Sequence, residues 1–197
     1  MDASQRFEQA IARIDEANAA DPNVLVVGGV ARPKEVVHAE MLTRWVGELL
    51  PSASDAVLLS ARAQHIRRWE HPRSELPDGR TGYLRWRTQL KDFHAELAAS
   101  ILTELDYDAA TIERVRTLIR KRAPTSDPEA QALEDGLCLV FMETQFQSLN
   151  DRLADDKMVE VLRKTWMKMS PAGRTFALAL DLAPHHRDLV ERALAGP

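Results

Sequence analysis

Three histidines and one aspartate occupy positions where helical spacing turns a side chain inward. His38 shares its offsets with Met41, Leu42, Trp45 and Leu49, His65 with Leu58, Ala61 and Trp69, and His94 with Leu90, Leu97 and Ile101. Asp135 lies one turn before Cys138, Leu139 and Met142, in a run that is apolar on every side. A buried carboxylate without a partner costs several kcal/mol, and a buried imidazole needs a partner too. One divalent cation held by His38, His65 and Asp135, with His94 as a further ligand or proton-transfer group, would settle donors, acceptors and charge together. Fe, Mn, Zn, Ni and Mg all remain open as its identity. The alternative is that a backbone carbonyl or a neighbouring side chain satisfies each group separately. His71, His185 and His186 lie in turn-like or terminal context and are expected to be solvated.

A basic stretch adjoins these residues. From His65 to Lys91, Arg67, Arg68, Arg73, Arg80, Arg85, Arg87 and Lys91 stand against Glu70, Glu75 and Asp78, a local charge of +4 that leaves −8 for the rest of the chain. Arginine makes forked contacts to phosphate or carboxylate, so an anionic ligand is expected, held by Arg67, Arg68, Arg73, Arg85 and Arg87. Trp69, Tyr83 and Trp86 interleave with the arginines and offer faces for a base to stack on. Glu70, five residues after His65, is a candidate general base or additional ligand, and a salt bridge to Arg67 or Arg73 is its rival role. Arg114, Arg116, Arg120, Lys121 and Arg122 read as a solvated helix face, Glu134 as structural and Cys138 as packing.

The elements that must position these groups read as helices. Ser4 can cap a first helix that fades at Asp21-Pro22, and Asn23 to Val27 is a connector or an isolated strand. Pro33 opens a second helix that runs to about Leu50. Ser54 and Asp55 open a third, through at least His65. Pro72, Pro77, Gly79 and Gly82 mark a long loop from His71 to Arg87. Helical spacing returns at Leu90 to Leu105, at Ile112 to Ile119, from Glu129 to about Leu149, from Met158 to Met169 and near Leu189. The expected fold is a single all-α domain over residues 1–197, with a metal-site core at about 33–143 and helices from 155–195 packed on it.

Composition limits the function classes. The 197 residues carry a net charge of −4, which argues against general coating of nucleic acid, and Cys138, the single cysteine, cannot form an internal disulfide. The polar start of the chain and the lack of a long apolar run lead us to expect a cytoplasmic protein without a membrane partner.

The order histidine, histidine, histidine, aspartate across successive helices resembles the histidine-aspartate (HD) superfamily of metal-dependent phosphohydrolases, over about residues 33–143. In that superfamily an aspartate follows the second histidine and can bridge two metals. Here the segment reads Ala63-Gln64-His65-Ile66-Arg67-Arg68-Trp69-Glu70, so the resemblance implies one metal. This segment, together with Pro33-Lys34-Glu35, Gly82-Tyr83-Leu84-Arg85-Trp86-Arg87, Leu133-Glu134-Asp135 and Arg163-Lys164-Thr165-Trp166, also looks like an uncharacterised family, known as domain of unknown function 4202, along nearly the whole chain. The first expectation for function is metal-dependent hydrolysis of a small phosphorylated, nucleotide-like compound. The alternatives are an HD-like iron-dependent oxygenase and a non-catalytic helical module that binds RNA or another anion.

Overall fold

The computed structural model describes residues 2–146, 149 and 151–195. Side-chain caps open several helices. Asp2, rather than Ser4, caps α1 (Ala3–Ala19) through the Gln5 N–H. A hairpin follows, β1 (Val24–Val27) antiparallel to β2 (Val30–Pro33), with Val27 opposite Val30 across a Gly28-Gly29 turn. Then come α2 (Lys34–Leu49) and α3 (Asp55–Ala63), the latter capped by Ser54. Helix α4 (Arg80–Glu104) is followed by α5 (Ala109–Ile119) and α6 (Pro128–Thr144), capped by Asp108 and Asp127. The chain ends in α7 (Asp155–Lys168), α8 (Pro171–Ala179) and α9 (Pro184–Leu194). The fold is all-α, as expected.

Two apolar cores divide the helices. One gathers Leu42 and Trp45 of α2, Leu139 of α6, Met158 and Leu162 of α7 and Leu189 of α9. The other gathers Ile14 of α1, Leu59 of α3, Leu102 of α4, Val115 of α5 and Ile66. Helix α3 serves both, sending Val57 and Ala61 to the first core and Ala56, Leu59 and Ala63 to the second. The segment leaving α3 is therefore fixed from two sides.

Two boundaries differ from the sequence expectation. Helix α3 stops at Ala63, so His65 lies in the turn after the helix and not on its face. The loop expected to reach Arg87 ends at Arg80, because Gly82 is a packing site within α4 rather than a breaker. A Cβ there would lie 1.9 Å from the Pro77 carbonyl oxygen, so only glycine lets the 3₁₀ turn at Arg73–Glu75 and its exit lie against α4. Helix α8 was not anticipated. No helix among the described residues is long and apolar enough to cross a membrane.

A candidate metal centre beside a basic cavity

Asp21 fixes the start of α2. Its carboxylate accepts the Glu35 N–H at 3.0 Å and the Asn23 N–H and side-chain amide at 2.9 and 2.8 Å. One helical turn separates Glu35 from His38, so both side chains share the buried face of α2. The turn after α3 then brings His65 onto His38, ring centroids 4.1 Å apart and planes 26° from parallel. His65 Nδ1 stands 3.5 Å from Glu35 Oε2, too long for a good hydrogen bond. One possible ligand atom from each of Glu35, His38 and His65 lies within 4.8 Å of the others.

Burial leaves polar atoms unmatched here. Glu35 Oε2 and His38 Nδ1 are buried without a hydrogen-bond partner. Burial, followed by the neighbouring His65, holds His38 well below the usual imidazole range, and burial followed by Arg68 does the same to His65. Both rings are neutral at pH 7, the form that binds metal. Two imidazoles and a carboxylate, with orphaned atoms facing inward, fit a divalent cation.

His94 stands next to this group, its ring 6.0 Å from that of His65. Its Nδ1 lies 2.8 Å from the Ile66 carbonyl oxygen, which can only accept, so Nδ1 carries the proton. Nε2 is left as a buried lone pair without a partner, and burial pulls the ring down to about 4. Ile66 thus contributes through its backbone while its side chain fills the core. The next residue, Arg67, is left-handed at φ 51°, and its N–H is received at 3.0 Å by the buried Asn18 Oδ1 of α1. A non-glycine residue is costly there, and this contact sets the direction in which the chain delivers Arg68.

His65 and His94 open on a cavity of about 400 Å³. Arg68, Arg87, Lys91, Lys121 and Lys168 line it, against Glu134 as its one carboxylate among the described residues. Arg68 Nη1 lies 3.5 Å from His65 Nε2. Leu90, Leu137, Phe141 and Val161 form the apolar part of the wall, and the Cys138 thiol, pushed up to about 12 mainly by burial, is inert packing.

The expected site residues separate into two groups. His38, His65, His94, Arg68 and Arg87 come together. Asp135 does not join them. Its carboxylate accepts the Ser170 N–H at 2.8 Å, the Ser170 hydroxyl at 2.5 Å and the Gln131 amide at 2.9 Å, so its burial is settled by the start of α8. Glu70 is exposed and ion-paired with Arg67, outside the converging group. Arg73 donates to the Leu76 and Pro77 carbonyls at 2.6 and 2.8 Å, holding the loop together. Trp69 and Arg85 do not line the cavity, while Trp86 donates to the His71 carbonyl at 2.9 Å. His186 is buried and stacks on Phe146 at 4.4 Å, contrary to its expected solvation. The basic residues on and just after α5, expected as a solvated face, are instead tied down: Arg114 pairs with Asp127 and Glu129, Arg120 with Asp92 and Glu96, and Lys121 turns to the cavity.

Sequence reasoning missed Glu35, Lys121, Lys168 and the place of Glu134 in the wall. The Glu35 signal was available, since a Glu three residues before an inward His shares its helix face. The lysines gave none, because they lie at or just past helix ends and only tertiary packing turns them to one cavity. No curated protein and no solved structure matches the chain. A family model does, over residues 8–190, and by that match the chain belongs to the family described as a domain of unknown function, DUF4202.

Proposed function

We propose that this protein is a hydrolase of small phosphorylated compounds that depends on one divalent cation held by Glu35, His38 and His65. The observation that carries the reading is the buried, unmatched pair Glu35 Oε2 and His38 Nδ1 beside a cavity with five cationic side chains. When bound, the cation supplies Lewis-acid charge and lowers the pKa of a coordinated water. The chain's own residues do the rest. Arg68, 3.5 Å from His65, and Arg87 and Lys91 on α4 grip the phosphoryl oxygens and balance the negative charge of the transition state. His94 Nε2, its tautomer fixed by Ile66, takes a proton from the water as its oxygen bonds to phosphorus, and returns it to the oxygen of the organic group as that P–O bond breaks; a bound anion raises the basicity of this ring.

An assay with an aryl phosphate and a panel of divalent metals tests the reading. Metal-dependent turnover is expected, with His94→Gln lowering kcat and Arg68→Ala raising KM about ten-fold or more. Turnover that is indifferent to metal and to His65→Ala would refute it. A second reading has one observation in its favour: two histidines and one carboxylate are also the donor set of ferrous oxygenases. Iron in the purified protein, with oxygen consumed on adding a substrate, would move the assignment there. RNA binding is weaker on this geometry, because the cations face a cavity rather than a continuous surface track.

A further inference from the structure

The cations of the cavity are not evenly placed. Arg68 stands beside His65, in the turn after α3. Lys121, just past α5, and Lys168, ending α7, meet at Glu134 of α6: Lys121 is hydrogen-bonded to its carboxylate, and Lys168 Nζ lies 3.8 Å away. Glu134 is thus the one carboxylate among five cations, and it occupies the position that an anion would take between two lysines. Burial pushes its carboxyl upward, but Lys121 and Lys168 outweigh that and hold it below the usual range, so it is charged. Lys91 is lowered mainly by burial and then by Arg87 and Lys121, with Asp92 acting the other way. Lys121 is also kept in the left-handed region at φ 56°, a costly conformation for lysine.

We infer that the cavity takes an organic diphosphate: one phosphoryl group lies between Arg68 and the histidines, the second displaces Glu134 from Lys121 and Lys168, and the organic group rests on Leu137, Phe141 and Val161. Charge and size agree. Five cations against one carboxylate leave four positive charges for a ligand with two phosphoryl groups, and about 400 Å³ falls within the roughly 300 to 1,000 Å³ of small-molecule sites. A monophosphate would leave the two lysines on Glu134 and gain nothing from them. The inference deepens the hydrolase reading by naming its substrate class, and it rests on that reading for which phosphoryl group reacts.

Calorimetric titration of the purified protein with inorganic phosphate and inorganic diphosphate tests it, before and after treatment with chelator. Diphosphate should bind at least ten-fold more tightly than phosphate. Lys121→Ala and Lys168→Ala should each remove most of that preference, while Arg68→Ala weakens both ions. Glu134→Gln, which keeps shape and removes the competing charge, should tighten diphosphate several-fold and leave phosphate unchanged. Equal affinity for the two ions would overturn the inference, as would weaker diphosphate binding by Glu134→Gln. The preference and its lysine dependence should persist after chelation, which separates this inference from the metal: loss of metal dependence alone strikes the hydrolase reading, and loss of the preference strikes the diphosphate.

Discussion

Asp135 and Glu35 are both carboxylates buried in a helical interior, with 2% and 5% of their surface exposed, yet their surroundings are opposite. Asp135 receives three donors from Ser170 and Gln131, and a Cβ on Gly173 would lie 2.6 Å from its Cγ, so the neighbouring helix is shaped around it. Glu35 sits against two neutral imidazoles and keeps an oxygen without a partner. A buried acid that is fully hydrogen-bonded has already received what its burial requires, and its role is to join α6 to the start of α8. A buried acid left short, beside a histidine nitrogen that is also without a partner, is what the proposed metal site rests on.

The largest expected effect falls on the satisfied side. Asp135→Ala strands the Ser170 N–H, its hydroxyl and the Gln131 amide, and should cost about 3 to 5 kcal/mol in chemical denaturation while leaving metal content unchanged. Metal lost in proportion would join the two regions and break the comparison.

Acid should act on the other side. His94 falls from its ordinary 6.5 to about 4 on folding, chiefly through burial, so between those values the unfolded chain binds more protons and stability drops as pH falls. At about 1.4 kcal/mol per pH unit, this ring alone removes roughly 3 kcal/mol from metal-free protein across that window. His38 and His65 act in the same direction. Melting curves from pH 7 to 4 in chelator should show the loss, and His94→Leu should flatten it; an unchanged slope in that variant would place the effect elsewhere.

Gly173→Ala comes next, at about 1 to 3 kcal/mol, since the added methyl has to push Asp135 away from Ser170. The smallest effect belongs to Glu35→Gln. Without metal it should change stability by about 1 kcal/mol at most, because Glu35 Oε2 has no hydrogen bond to lose. A large loss in metal-free protein would show that Glu35 is structural after all.

Much of this was legible in the chain. Inward spacing identified His38 and His94 on their helices, and the caps at Ser54, Asp108 and Asp127 follow ordinary helix chemistry. The acid that the structure brings to the histidines is Glu35 and not the expected Asp135, for a physical reason: spacing reports that a side chain turns inward but not which neighbour it meets. Asp135 and Glu35 look alike in that respect, and only Ser170, thirty-five residues along the chain from Asp135, tells them apart. The basic stretch was read as one unit, whereas Arg67 and Arg73 face their own loop. Lys121 and Lys168 are far from that stretch in sequence and reach the cavity through helix packing alone.

On the proposed reading Glu35, and not Asp135, completes a metal site with His38 and His65. Elemental analysis of protein purified without chelator and without a histidine tag tests it most directly, comparing the parent chain with Glu35→Gln, His38→Ala and Asp135→Asn. About one divalent metal per chain is expected in the parent and in Asp135→Asn, and little in the other two. No metal in the parent chain, or metal lost from Asp135→Asn and retained by Glu35→Gln, would contradict it.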